Sequence, residues 1–265
     1  MNTANLSRPS DPLPMFCLEA LDLLEAAGVQ FLIGGAFAQS RYTKRYRETK
    51  DLDIVIRRVD VPGTLAAFEK AGYRTERPFP HWLAKIHSGD FVLDVVYSSG
   101  NGVLEVDDDW FTYATDGEVL GKAVKLCPVE ELLWSKAFIQ ERERYDGNDV
   151  LHLLHARASV MNWDRLVARF GNHWPVLLSH IVLFFFAYPD RRGMIPGAVV
   201  QELIGRLQRM RTEPNNPLCL GTLLSRKQFL FDITRLGYAD ARVEPYGEMS
   251  PEETEIWTRA IDRDR

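Results

Sequence analysis

Cysteine is scarce in this 265-residue chain: Cys17, Cys127 and Cys219 are an odd number, far apart, and in no Cys-x-x-Cys spacing. That excludes a disulfide framework and a cysteine zinc site, and reads as thiols in a reducing compartment. The most apolar run is too short to span a bilayer, which takes ~20 residues. The most apolar stretch, Val176 to Tyr188, is interrupted by Ser179 and His180 and predicts a buried core helix. The opening MNTANLSRPSDPLP lacks the apolar centre of a signal peptide. These absences predict a soluble, cytoplasmic protein with no membrane partner. Basic charge is not in excess either, with 32 Lys and Arg against 37 Asp and Glu and a formal net charge of -5. Bulk attraction to nucleic acid is thereby excluded, and any such partner must meet a local patch. The chain shows no internal repeat and no low-complexity segment.

What is present is ordinary globular composition, 46% hydrophobic and 26% charged, enough for one large domain or two modest ones. Residues 1–14, with three prolines, predict a loose arm. Met15 to Ala27 has helical apolar spacing and stops at Gly28. A short strand over Val29–Ile33 ends at Gly34-Gly35, and a helix follows to about Thr43. A second strand covers Leu52–Ile56, with Asp51, Asp53 and Val55 on one face. Pro62 opens a helix that Gly72 stops. Strands at Trp82–His87 and Phe91–Tyr97 flank a hairpin signal, Ser88-Gly89-Asp90. Val119–Leu126 adds one strand or two short ones. From Pro128 the pattern becomes helical: Val129–Glu143, Asp149–Arg157, Trp163–Phe170, Val176–Phe186 and Ala198–Met210. A boundary is therefore expected near residue 128, between an α/β domain over 15–127 and a helical domain over 128–265.

Three features carry chemistry. Glycines at 34 and 35, between a strand and a helix, let the backbone approach a phosphate, and the helix N-terminus offers unpaired N–H groups to an anion. Gly-Gly also marks ordinary tight turns. Asp51 and Asp53, two apart in a strand, project from one face while Leu52 and Ile54 point into the core. Such carboxylates repel each other unless a cation lies between them. Mg²⁺ takes hard oxygen ligands of this kind together with phosphate oxygens. A solvated strand edge is the plainer alternative, against which the apolar flanks argue. Asp94 interrupts the apolar run Phe91–Tyr97, where an unpaired carboxylate is costly, so a metal or a structural salt bridge is expected.

The stretch Ile33-Gly-Gly-Ala … Arg47-Glu-Thr-Lys-Asp-Leu-Asp-Ile54, with Asp94 on a later strand, resembles the signature of the polymerase-β nucleotidyltransferase superfamily. Its RxTxDxD form is similar to small bacterial members, including antibiotic nucleotidyltransferases and the nucleotidyltransferase toxins of toxin–antitoxin pairs. The resemblance implies a mixed sheet with flanking helices, followed by an all-α domain that closes the nucleotide cleft. It implies two Mg²⁺ ions held by Asp51, Asp53 and Asp94, an NTP as co-substrate such as ATP, and Asp94 as candidate general base. Gly34, Gly35, Arg47 and Thr49 would serve the triphosphate. In the segment Glu130-Glu-Leu-Leu-Trp-Ser-Lys136, the resemblance implies that Lys136 faces the nucleotide.

Other charged residues have plainer readings beside functional ones. Arg41, Lys44, Arg45, Arg47 and Lys50 form a basic run before Asp51, either a solvated face or a neutraliser of phosphate charge. Lys136 falls on the apolar face of its helix, where a lysine is rare unless it snorkels. Arg142 to Asp149 reads as a helix cap or a substrate turn. His152 and His155 have ligand spacing but no third partner, which favours packing. Asp107-Asp108-Asp109 reads as a solvated helix start.

The function expected is Mg²⁺-dependent transfer of an NMP to a hydroxyl, with release of pyrophosphate. The alternatives are a catalytically silent nucleotide-binding or toxin-neutralising module and a metal-dependent nuclease. The acceptor stays open among an antibiotic hydroxyl, a tRNA 3′ end and a protein side chain. An RNA acceptor would have to use a patch such as Arg191-Arg192 with Arg206, Arg209 and Arg211. The preferred base of the NTP, the oligomeric state and the role of residues 212–265 are not encoded in any recognisable pattern.

Overall fold

The computed structural model describes residues 12–46, 49, 51–210 and 217–261. The chain divides into two compact units, one up to Gly100 with Leu104–Pro128, the other Asn101–Val103 with Val129 onward.

The first unit is built on a seven-stranded sheet in the order β3-β4-β5-β2-β1-β7-β6. The strands are β1 (Leu32–Ile33), β2 (Asp51–Val55), β3 (Arg74–Phe79), β4 (Leu83–Ser88), β5 (Phe91–Val96), β6 (Thr115–Val119) and β7 (Lys122–Leu126). Pairing is mixed: β2 runs parallel to β5 and β1 to β7, and the other neighbours are antiparallel. Helices α1 (Pro12–Ala26), α2 (Gly35–Thr43), α3 (Val61–Lys70) and α4 (Asp108–Thr112) accompany it. Helix α1 starts at Pro12, inside the segment expected to be a loose arm. A proline in the first turn gives up only an N–H that the helix leaves unpaired anyway. Strand β3 has no apolar alternation in its sequence, Arg-Thr-Glu-Arg-Pro-Phe, and exists because β4 supplies its hydrogen bonds. Residues 115–126 form two strands and not one, turned at Leu120 and Gly121, both with positive φ.

Pleating divides the sheet into two unlike faces. On one, Leu52, Ile54, Ala84, Ile86, Leu93, Val95 and Tyr97 are fully buried. Helix α1 packs against β5, and α3 against β3 and β4, bringing Phe16, Cys17, Leu21, Leu24 and Phe68 into the same core. Burial pushes the Cys17 thiol up to about 11, so it stays protonated. The other face carries the charged residues described below.

The second unit contains α5 (Val129–Ala137), α6 (Gly147–Arg157), α7 (Trp163–Phe170), α8 (Trp174–Ala187), α9 (Gly197–Met210), α10 (Leu230–Leu236) and α11 (Pro251–Ala260). It also has a parallel pair of short strands, β8 (Leu218–Cys219) and β9 (Ala239–Asp240). Its core gathers Leu133, Phe138, Val150, Leu153, Leu166, Phe170, Leu177, Ile181 and Phe184. The stretch Trp163–Ala187 is long and apolar enough by composition to cross a membrane. Its α8 buries Leu177, His180, Ile181 and Phe184 in the core and leaves Val182, Leu183 and Phe186 exposed.

Helix α5 ends at Ala137, six residues short of the expected Glu143, because the backbone beyond it is bonded elsewhere. Gln140 donates to the carbonyl of Leu224 at 3.1 Å, and Asp146 to that of Ile139 at 3.0 Å. The Glu141 carboxylate accepts two hydrogen bonds of 2.6 Å from the guanidinium of Arg226.

Candidate active site

Strand register assembles the charged face. Asp53 on β2 is directly opposite Asp94 on β5, Asp94 opposite Lys85 on β4, and Lys85 opposite Glu76 on β3. Residues directly opposite share a face, so Asp53, Asp94, Lys85 and Glu76 form one row across four strands. Asp51, Val92, His87 and Arg74 form the next row on that face. The two carboxylates of the Asp-x-Asp strand and the third from the later strand thus lie on one sheet surface, on strands ~4.8 Å apart.

Gly34 and Gly35 border the same surface. The Gly34 N–H donates to the Asp53 carbonyl at 2.9 Å, and Gly35 begins α2 with φ +48°. A Cβ at Gly35 would lie 1.7 Å from Asp53 Oδ2, so the carboxylate rests directly over the glycine backbone. A Cβ at Gly34 would meet Val55 Cγ2, also on this face, at 3.2 Å. Gly35 is therefore needed twice, for a left-handed backbone and for the close approach of Asp53. Thr49 makes a local turn, its Oγ1 at 3.2 Å from both the N and the O of Asp51. It steers the chain into β2.

The electrostatics differ along the face. Asp51 is exposed, Asp53 half-buried, and the Asp94 side chain 17% exposed. Lys85 Nζ donates to Asp94 Oδ1 at 2.7 Å. Burial raises the Asp94 pKa above the ordinary carboxylate range; the Lys85 ammonium pulls it down without cancelling that, and the Asp51 charge pushes it up again. The donor set suits Mg²⁺, being hard carboxylate oxygens on rigid strands beside an open glycine backbone. As they stand, no three His, Cys, Asp or Glu side chains among the described residues converge closely enough to hold an ion.

The remaining candidates fall elsewhere. Arg47 and Lys50 lie outside the described residues. Arg41 is spent on the carbonyl and carboxylate of Glu118, and Lys44 and Arg45 are exposed. Lys136, in the second unit, is buried and ion-paired to Asp149 at 2.7 Å and Asp146 at 3.3 Å. It does not snorkel. Arg144 donates to both oxygens of Asp146, at 3.0 and 2.9 Å. His155 packs on the Tyr188 ring, with centroids 4.7 Å apart. The side chain of Asp107 caps α4 by accepting from the Asp109 N–H at 3.1 Å.

Lys85 is the member of the site that sequence reasoning missed. Its signal was available: a two-residue turn at Gly89-Asp90 pairs Ser88 with Phe91, and counting back along that hairpin sets Lys85 against Asp94.

No family model matches the chain, and no curated protein matches it. Among solved structures it is similar to the antibiotic-resistance factor ANT(2'')-Ia in solution. That match has 18% identity and a TM-score of 0.46, and covers 63% of this chain and 95% of that one. It is also similar to the lincosamide antibiotic adenylyltransferase LnuA in its lincomycin-bound crystal, at 18% identity and TM-score 0.39, covering 54% and 96%. A third is an antigenic nucleotidyltransferase-like protein from Paracoccidioides brasiliensis, at 16% identity and TM-score 0.43, covering 72% and 98%.

Proposed function

We propose that this chain is a Mg²⁺-dependent nucleotidyltransferase that moves an NMP from an NTP to a hydroxyl acceptor and releases pyrophosphate. The observation that carries this reading is the row that sets Asp53 beside Asp94, with Asp51 on the same face and the Asp53 carboxylate seated on Gly35. Bound Mg²⁺ would supply charge neutralisation for the triphosphate and polarisation of the attacking hydroxyl. Asp51 and Asp53 hold the metal–triphosphate end, and Gly34-Gly35 lets phosphate oxygens approach the backbone at the start of α2. Asp94, on the later strand, serves the acceptor: its free oxygen takes the hydroxyl proton. The acceptor oxygen then bonds to the α-phosphorus as the bond to the β-phosphate bridging oxygen breaks, and pyrophosphate leaves. The raised pKa of Asp94 suits a group that must accept a proton.

Antibiotics, which the names of two similar structures mention, make a small hydroxylated molecule the acceptor to try first, ahead of RNA or a toxin–antitoxin partner. A second reading, a catalytically silent nucleotide-binding module, draws on the Lys85–Asp94 ion pair, which a cation-free face would retain. The two are separated by incubating the full chain with each labelled NTP, Mg²⁺ and a cell extract or a panel of antibiotics. Transferred label with stoichiometric pyrophosphate supports the enzyme; nucleotide binding with no pyrophosphate from any NTP overturns it.

A further inference from the structure

Lys85 faces a choice of anions. On one side its register partner is Asp94 and on the other Glu76. Its ammonium goes to Asp94 Oδ1 at 2.7 Å. Glu76 is supplied separately, by His87 Nε2 at 2.9 Å and Arg74 Nη1 at 3.2 Å. Two basic side chains on the neighbouring row thus satisfy Glu76 and leave Lys85 to the aspartates. Since β5 lies between β4 and β2, Asp94 stands between Lys85 and Asp53. Its Oδ1 is committed to the lysine, and its Oδ2 accepts no hydrogen bond from the described residues.

Here the lysine holds one oxygen of the same carboxylate that strand register sets beside Asp53. We infer that Lys85 is a built-in counter-cation of this carboxylate face, holding Asp94 through one oxygen while the face lacks a divalent ion and weakening that ion's binding by its own charge. The inference rests on the carboxylates being a metal site, as proposed above. Lys85 is a positioning residue: it acts on the metal and the acceptor through Asp94. Its charge offsets that of Asp94 without metal and holds divalent affinity low enough that the ion is favoured when triphosphate oxygens complete its shell.

The test is calorimetric titration of Mn²⁺ into the full-length protein without nucleotide, for wild type, Lys85→Gln, Lys85→Met and Lys85→Arg. A unit charge ~6 Å from a divalent ion in a water-rich setting changes its affinity about tenfold. Lys85→Gln, which keeps a donor for Oδ1 and loses the charge, should bind Mn²⁺ about tenfold more tightly than wild type, and Lys85→Arg should match wild type. Lys85→Met should follow Gln; should Met not fold, Gln and Arg decide. Thermal melts give a second readout: the loss of Tm in Lys85→Gln should be recovered at saturating Mn²⁺, whereas a packing pair would cost the same with and without the ion. Equal affinities across all four proteins, or weaker binding in Lys85→Gln, overturn the inference and leave the metal site standing. No Mn²⁺ binding by wild type or by Lys85→Gln overturns the metal site and the inference together.

Discussion

Two lysine–aspartate arrangements in this molecule use the same chemistry to opposite ends. In the second unit Lys136 is buried between Asp146 and Asp149, and Arg144 adds a second cation to Asp146. Burial pushes Asp146 up, but hydrogen bonds from Arg144 and the charge of Lys136 outweigh it and hold the carboxyl below its ordinary range. On the sheet of the first unit, Lys85 reaches Asp94 alone, burial prevails, and the Asp94 pKa stays raised. Among the four groups named around Lys136 the charges cancel; on the sheet, one lysine meets Asp94 without offsetting the effect of its burial. A balanced buried cluster fixes the start of α6 relative to α5. A buried carboxylate that its lysine does not fully compensate is the one at which we propose a divalent ion is served.

The sharpest way to break this comparison is to remove a carboxylate from the unbalanced side. Asp51→Asn and Asp53→Asn should each abolish pyrophosphate release while leaving far-ultraviolet circular dichroism unchanged. Asp94→Asn should bind the Mg²⁺ complex of a non-hydrolysable NTP like wild type and lose at least ~10²-fold in single-turnover rate. Wild-type turnover by Asp53→Asn would end the functional reading.

The balanced side should answer in stability. Lys136→Met leaves Asp146 with the exposed Arg144 and takes from Asp149 its lysine at 2.7 Å. Breaking a buried pair in this way costs about 3–5 kcal/mol, to be read from urea denaturation. A loss below ~1 kcal/mol would show that Lys136 is not part of a structural cluster.

Gly35→Ala joins geometry to charge. The added methyl would occupy the place of Asp53 Oδ2, and the residue would sit at φ +48°, so the carboxylate must move. Displacement of a reacting group by ~1 Å costs about 10²-fold in rate. Gly34→Ala, whose methyl would meet the Val55 side chain at 3.2 Å and Asp53 at an ordinary 3.8 Å, should be milder. Equal rates for Gly35→Ala and wild type would remove the glycine from the site.

The smallest effect concerns pH in the helical unit. Burial lowers the His180 pKa, with its hydrogen bond to the Ala137 carbonyl opposing, and burial lowers that of His173 as well. The unfolded chain then binds more protons than the folded one below about pH 6.5, so stability falls on acidification through that point and is fully present above it. The slope is at most about 1.4 kcal/mol per pH unit for each group. His180→Gln should flatten the acid limb of a denaturation series between pH 7 and 5, and an unchanged limb would assign it to His173 or to carboxylates.

Much of the site was legible because it depends on short-range periodicity. Alternation in β2 put Asp51 and Asp53 on one face with Leu52 and Ile54 buried behind them. The glycine pair, the start of α2 and the hairpin at 89–90 follow from local backbone preferences. Three things needed the folded chain. The parallel pairing of β2 with β5, which sets Asp53 against Asp94, joins strands separated by α3, β3 and β4, and no local pattern encodes such a partner. The end of α5 depended on acceptors and cations as distant as Leu224 and Arg226. Strand β3, polar in sequence, was made by its neighbour's hydrogen bonds. Periodicity decides which side of an element a residue occupies, since that is fixed by the backbone's own repeat. Which element lies opposite, and so whether a lysine meets one aspartate or two, is decided by long-range packing that only the tertiary structure contains.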